Sequence, residues 1–150
     1  MSDGLADQLE IRELAARFTD AVNRRSPRDV AGTFTEDGEW HVPGVPVTHG
    51  RAEAEARLAG LLDNFDRLVQ LLHSGQVEVT DDEASATWYL TEIAASSAAG
   101  KAFTFVGVYR DALVRTAEGW RFTRRTFDFL YRAKGDVEAR WYPHPAVTAV

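Results

Sequence analysis

The chain is 150 residues long, 45% hydrophobic and 27% charged, with a formal net charge of −6 and no cysteine. That length suits one domain, residues 1–150, with a core large enough to enclose a ligand cavity. The acidic balance argues against nucleic acid and anionic membranes as partners, since both demand a basic face. The lack of cysteine excludes disulfides, thiolate catalysis and cysteine-based metal sites. Met1–Asp7 shows neither the basic start nor the apolar run of a signal peptide, and no stretch approaches the roughly 20 apolar residues that span a bilayer. A soluble cytoplasmic protein is the expectation.

Ile11, Leu14, Ala15, Phe18 and Val22 follow the spacing of an amphipathic helix of about five turns. Ser26-Pro27 ends it and opens a second, short helix, Ser26 being suited to cap and proline to the first turn. Glu39-Trp40-His41-Val42 reads as a strand stopped by Pro43-Gly44-Val45-Pro46. A third helix follows Gly50, with Ala54, Leu58, Leu61, Leu62 and Phe65 in its stripe. The period then changes to two, giving strands over Leu68–Val79, Ala84–Ala95, Ala102–Arg115 and Trp120–Tyr131, separated by turn-rich segments. Residues 132–150 form an aromatic, proline-rich tail, Trp141-Tyr142-Pro143-His144-Pro145 at its centre, more like a docking strap than a helix. Helices first and long antiparallel strands afterwards make an α+β domain: a curved, cone-shaped, mostly antiparallel sheet covered by three N-terminal helices around an interior pocket.

Counting by twos puts Leu71, His73, Gly75, Val77 and Val79 on one face of their strand, so that the imidazole of His73 points inward with the apolar side chains. In such a place it is a hydrogen-bonded core residue or a proton-transfer group lining a pocket. The same count aligns Trp88, Leu90 and Glu92; Phe103, Phe105, Gly107 and Tyr109; and Arg125, Phe127, Phe129 and Tyr131. Glu92 beside His73 would raise the imidazole pKa and fix its tautomer, or would be a plain ion pair with it. Asp20 is a second candidate carboxylate, although it sits nearly opposite the Ile11–Phe18 stripe. Asn23 is placed to donate to a substrate oxygen or to cap the helix end. Arg125 is suited to hold a carboxylate, an enolate or a leaving group, or to pair with Glu92 or Asp128. Trp40, Trp88, Leu90, Phe105, Tyr109, Phe127 and Phe129 are the candidate cavity wall, with ordinary core as the alternative. Trp120 and Phe122 fall on the opposite face, where a partner subunit would cover them. The four histidines show no metal-ligand spacing, and neither a phosphate-cradling glycine motif nor a serine nucleophile elbow is present.

Ile11-Arg12-Glu13-Leu14 with Ala21-Val22-Asn23-Arg24-Arg25, then Phe34-Thr35-Glu36-Asp37-Gly38-Glu39-Trp40, then Gly107-Val108-Tyr109-Arg110-Asp111 and Gly119-Trp120-Arg121-Phe122 resemble the SnoaL-like members of the nuclear transport factor two-like superfamily. The resemblance covers about residues 8–131. Within that group the pattern is similar to the scytalone dehydratases and the hexachlorocyclohexane dehydrochlorinase, which share a Trp in the Glu39-Trp40 strand and an Arg in the Arg121–Arg125 strand. The resemblance implies a lyase, isomerase or polyketide-cyclase-like enzyme that works without metal or cofactor on a small hydrophobic molecule. In those enzymes an Asp near the end of the first helix and a His on the first long strand form the proton-abstracting dyad. Counting places the Asp position on Asn23, which cannot accept a proton. It places the His position nearer Val69 or Gln70 than His73; a shift of four keeps the inward face, and a shift of three needs a bulge.

The expected function is therefore a cofactor-independent acid–base enzyme, a dehydratase, isomerase or cyclase, in which His73 moves the proton, Glu92 or Asp20 orients it, and Asn23, Tyr109 and Arg125 steady an oxyanion. The rival is a non-catalytic ligand-binding or assembly domain that has lost the dyad. Relatives imply a homo-oligomer, dimer or trimer, formed through the outer face of the sheet.

Overall fold

The computed structural model describes residues 4–136 and 138–147. The readings made of Met1–Asp3 and of the last tail residues lie outside the described residues. Helix α1 (Gly4–Asn23) buries Ile11, Leu14, Ala15, Phe18, Ala21 and Val22, the stripe that its periodicity announces. Its first turn is pinned by Asp7, whose buried carboxylate accepts from Trp120 Nε1 at 3.1 Å and pairs with Arg115 at 2.7 Å. Helix α2 (Pro27–Ala31) starts on its proline, but the Ser26 side chain forms no cap; its hydroxyl bonds the Asp29 carboxylate instead. Strand β1 (Phe34–His41), the two-residue β2 (Thr48–His49) and helix α3 (Arg51–Asn64) follow.

The long strands β3 (Arg67–Thr80), β4 (Glu83–Ser96), β5 (Lys101–Thr116) and β6 (Gly119–Gly135) complete a six-stranded sheet in the order β2-β1-β6-β5-β4-β3. All pairings are antiparallel except β1 with β6. Strands of this length cannot stay flat, because each residue adds right-handed twist. The sheet curls without closing, and α1 lies across its concave side against β3 and β6 while α3 packs on β1. Two glycines permit the curl. A Cβ on Gly75 would stand 2.2 Å from the Trp88 ring, and one on Gly107 would stand 2.2 Å from the Phe127 ring. Among the described residues no helix is long and apolar enough to cross a membrane.

Three β-bulges decide which side chains face inward. On β3, His73 and Ser74 together oppose Tyr89, so the register shifts between Leu72 and Gly75. Leu68, Gln70 and Leu72 point inward before the bulge, and Gly75, Val77 and Val79 after it. His73 is thereby turned to the outer surface, where its Nε2 lies 2.8 Å from Thr91 Oγ1. The inward reading of His73 is corrected: uninterrupted parity fails across a bulge, because one extra residue exchanges the two faces.

The second bulge, at Thr123, turns Trp120 and Phe122 inward together with Arg125 and Phe127. Trp120 and Phe122 are 1% and 0% exposed within the single chain, so they are core and not a partner-facing surface. The third, at Leu130, sends Tyr131 outward, so Tyr131 leaves the face it was expected to share with Phe129. The outer face carries instead the exposed apolar residues Val69, Leu71, Tyr89, Ile93, Leu130 and Tyr131.

Candidate functional site

The concave side of the sheet is polar at two levels. At the floor, Arg125 is 0% exposed. Its Nε donates to Asp111 Oδ1 at 2.9 Å and its Nη2 to Oδ2 at 3.2 Å. Trp88 Nε1 donates to the same carboxylate at 2.9 Å. The guanidinium lies 3.9 Å from the Tyr109 ring centroid and 4.3 Å from those of Phe18 and Phe122. The cation is stacked and forked at once, an arrangement that lysine could not reproduce.

One level higher, Gln70 ties α1 to the sheet. Asn23 clamps its backbone from both sides: Asn23 Nδ2 donates to the Gln70 carbonyl at 2.9 Å, and the Gln70 N–H donates to Asn23 Oδ1 at 2.8 Å. The Thr19 hydroxyl donates to Gln70 Oε1 at 3.1 Å. The Glu92 carboxylate fixes the amide, because it can only accept and so takes the NH2 group, leaving Oε1 to the Thr19 hydroxyl, which can donate or accept. Gln70 Nε2 consequently faces inward and donates to Glu92 Oε1 at 2.6 Å and to the Tyr109 hydroxyl at 3.3 Å. Burial lifts the Glu92 carboxyl above the usual carboxylate range, opposed by the neutral Gln70 amide and not by a cation. Tyr109 is pushed well above an ordinary phenol by burial and by the charge of Glu92, so it stays protonated and serves as a donor. Gln70 and Tyr109 are each 2% exposed, whereas Glu92 is half-buried.

An aromatic train rises from this level. Tyr109 meets Phe127 edge-on at 5.5 Å, Phe127 meets Phe129 at 4.9 Å, Phe105 lies 5.5 Å from Phe129, and Phe103 stacks on Phe105 at 5.8 Å, with Phe65 closing the rim. Trp40, Trp88, Leu90, Phe105 and Phe127 are buried, as expected for wall or core, while Phe129 at 36% exposure stands at the rim. The tail residues Trp141, Tyr142 and Pro143 form, with Leu68, Val69 and Asn23, a groove of about 280 Å³ beside the end of α1.

The expected site residues divide accordingly. Glu92 and Tyr109 come together, with Arg125 stacked beneath the tyrosine ring. Asn23 joins them through Gln70. His73 is separated from Glu92 by the sheet itself, so no His73–Glu92 dyad forms. Asp20 is exposed and holds Arg24 at 2.7 Å on the outside of α1. Arg125 pairs with Asp111 and not with Glu92 or Asp128, Asp128 being taken by Arg110 on the outer face. Among the described residues no group of three or more His, Cys, Asp or Glu is placed to hold a metal ion.

A profile of the SnoaL-like domain matches residues 3–126. The chain belongs to the SnoaL-like family. An uncharacterized protein of Mycobacterium tuberculosis is 28% identical to this SnoaL-like chain over 123 residues, which cover 81% of this chain and 84% of that protein. Among solved structures, the type 3 hexachlorocyclohexane dehydrochlorinase of Novosphingobium barchaimii is 17% identical, with a TM-score of 0.85 over 94% of this chain and 98% of that one. A provisionally named scytalone dehydratase of Novosphingobium aromaticivorans is 20% identical, with a TM-score of 0.78 over 91% of each chain. At these identities the likeness is one of fold, the cone of the nuclear transport factor two-like superfamily.

Of Val69 and Gln70, the two positions counted for the histidine of the expected dyad, the structure turns Gln70 inward and leaves Val69 exposed. Thr19, Gln70 and Asp111 are the site residues that reading by parity did not find. The signal was available: an isolated glycine inside a strand, here Gly75, marks a bulge or a close approach, and it is both.

Proposed function

We propose that this SnoaL-like protein is a cofactor-independent acid–base enzyme of the dehydratase, isomerase or cyclase kind, with Glu92 as the group that moves the proton. The observation that carries the reading is a carboxyl on the concave face, lifted by burial, uncompensated by a cation and aimed by a locked amide. A carboxylate of raised pKa is a stronger base than a free one, which suits it to general acid–base work. The substrate class is a small hydrophobic, oxygenated molecule that lies against the Phe105–Phe127–Phe129 wall. Glu92 takes a proton from the carbon next to a carbonyl. The electron pair passes to the carbonyl oxygen, which accepts the Tyr109 hydroxyl proton as a hydrogen bond. Glu92 then returns its proton, to a departing hydroxyl in a dehydration or to another carbon in an isomerisation. Asn23 acts through Gln70, and Arg125 acts by holding the tyrosine ring; His73 and Asp20 take no part.

The rival reading of a binding domain without catalysis is favoured by one observation. The resemblance puts the proton-abstracting dyad on Asn23 and on Val69 or Gln70; none of these can transfer a proton, and Asn23 and Gln70 bond each other. Turnover of a panel of hydrophobic ketones and polyketide-like aromatics by wild type, Glu92→Gln and Glu92→Asp separates the two. The enzyme reading expects Glu92→Gln to lose about 10²–10⁴-fold in kcat while ligand binding persists. Binding across the panel without turnover by the wild type, or undiminished turnover in Glu92→Gln, overturns it.

A further inference from the structure

On the far side of α1 from the Gln70–Glu92 site lies a groove of about 420 Å³, bounded by α1, α2 and the start of β6. Four arginines line it, Arg17, Arg24, Arg28 and Arg121, with the carboxylates Asp20 and Asp29. Arg24 is spent on both carboxylates, at 2.7 Å from Asp20 and 3.2 Å from Asp29. Four guanidiniums against two carboxylates leave the lining net positive. The Arg17 and Arg28 side chains are exposed and make no hydrogen bond among the described residues, although Arg28 lies within electrostatic reach of Asp29. Arg121 is only 14% exposed and lies 3.7 Å from the outward Glu118 carboxylate. Its Nη1 donates to the Trp120 carbonyl at 2.8 Å, and its buried Nε has no partner. On a chain of net charge −6 this is a local positive excess, with an unsatisfied buried donor on Arg121.

We propose that this groove binds a phosphate dianion, free or as the monoester of a small molecule, through Arg17, Arg28 and Arg121. Guanidinium forks match tetrahedral phosphate oxygens, and a dianion offers enough oxygens for several forks where a carboxylate offers two. Burial, with the like charges of Arg17 and Arg51 and against the pull of Glu118, holds the Arg121 guanidinium below the ordinary arginine range, a strain that a bound anion relieves. The site is separate from Glu92 and stands whether or not that group is catalytic.

The test follows the Nε–H resonance of Arg121 by ¹H–¹⁵N NMR, with calorimetry alongside, on titrating inorganic phosphate, phenyl phosphate and benzoate. Saturation below about 1 mM phosphate, with the Arg121 resonance moving, is the expected result. Arg17→Ala and Arg28→Ala, both at exposed positions, each weaken binding about tenfold or more, while Arg140→Ala, which removes the same charge elsewhere, leaves it unchanged. Tighter binding of phenyl phosphate points to a phosphorylated metabolite, and equal binding points to free phosphate. Failure to saturate, an equal effect of Arg140→Ala, or benzoate binding as tightly as phosphate overturns the proposal.

Discussion

Replacing Thr19 by Val keeps the shape of the side chain and removes the hydroxyl that pairs the Gln70 amide oxygen. In the wild type that hydroxyl donates to Gln70 Oε1 at 3.1 Å, leaving Nε2 to donate to Glu92 at 2.6 Å. The variant faces two outcomes, both costly. The amide stays and leaves a buried carbonyl unpaired, or it flips and sets its oxygen against the Glu92 carboxylate, which is then stable only when protonated. An unmade buried hydrogen bond costs about 1–3 kcal/mol, and each kcal/mol lowers Tm by about 2–4 °C in a domain of this size.

The pH dependence distinguishes this mechanism from a simple loss of packing. Glu92 already has a folded-state pKa raised above its ordinary 4.5. The unfolded chain therefore releases that proton first, and stability falls as pH rises from the unfolded towards the folded value. A flip, or a weaker hold on the amide that donates to Glu92, raises the folded value further, so the decline in Thr19→Val continues to higher pH. Urea unfolding should show a larger loss relative to wild type at about pH 8 than at about pH 5, and the difference should vanish in a Glu92→Gln background. An equal loss at both pH values would refute the claim that Thr19 holds the amide on Glu92.

The remaining predictions concern residues whose roles the bulges reassigned. His73→Ala touches only the outer-face contact with Thr91 and should leave turnover unchanged and stability within about 0.5 kcal/mol, checked by kcat and chemical denaturation. Arg125→Met removes one partner of a fully buried pair and strands the Asp111 carboxylate; a loss of about 3–5 kcal/mol in urea unfolding is expected, and a loss below about 1 kcal/mol would contradict the paired floor.

Periodicity revealed the elements well because packing enforces it: the α1 stripe, the four long strands and the turns between them all stand within a few residues of where apolar spacing puts them. The fold was also legible in short words such as Gly119-Trp120-Arg121-Phe122, whose tryptophan anchors Asp7. Site residues were legible on β4 and β5, where the pairing between the two strands runs unbroken from Glu83 to Ser96 and parity survives. They were lost on β3 and at the start and end of β6, because each of those strands carries a bulge that exchanges its faces. The polar groups of the site added a second obstacle. Gln70 and Thr19 carry no charge and no metal affinity, so nothing in the sequence distinguishes them from surface residues until α1 is laid against β3.

Glu92 as the mobile-proton group is tested most directly by deuterium exchange at the carbon beside the carbonyl of bound hydrophobic ketones in D2O, followed by NMR, since it reports proton abstraction even where the natural product is not known. Exchange catalysed by the wild type, rising with pH through the lifted pKa of Glu92 and abolished in Glu92→Gln, is the predicted result. Undiminished exchange in Glu92→Gln, with the same pH profile, would contradict it.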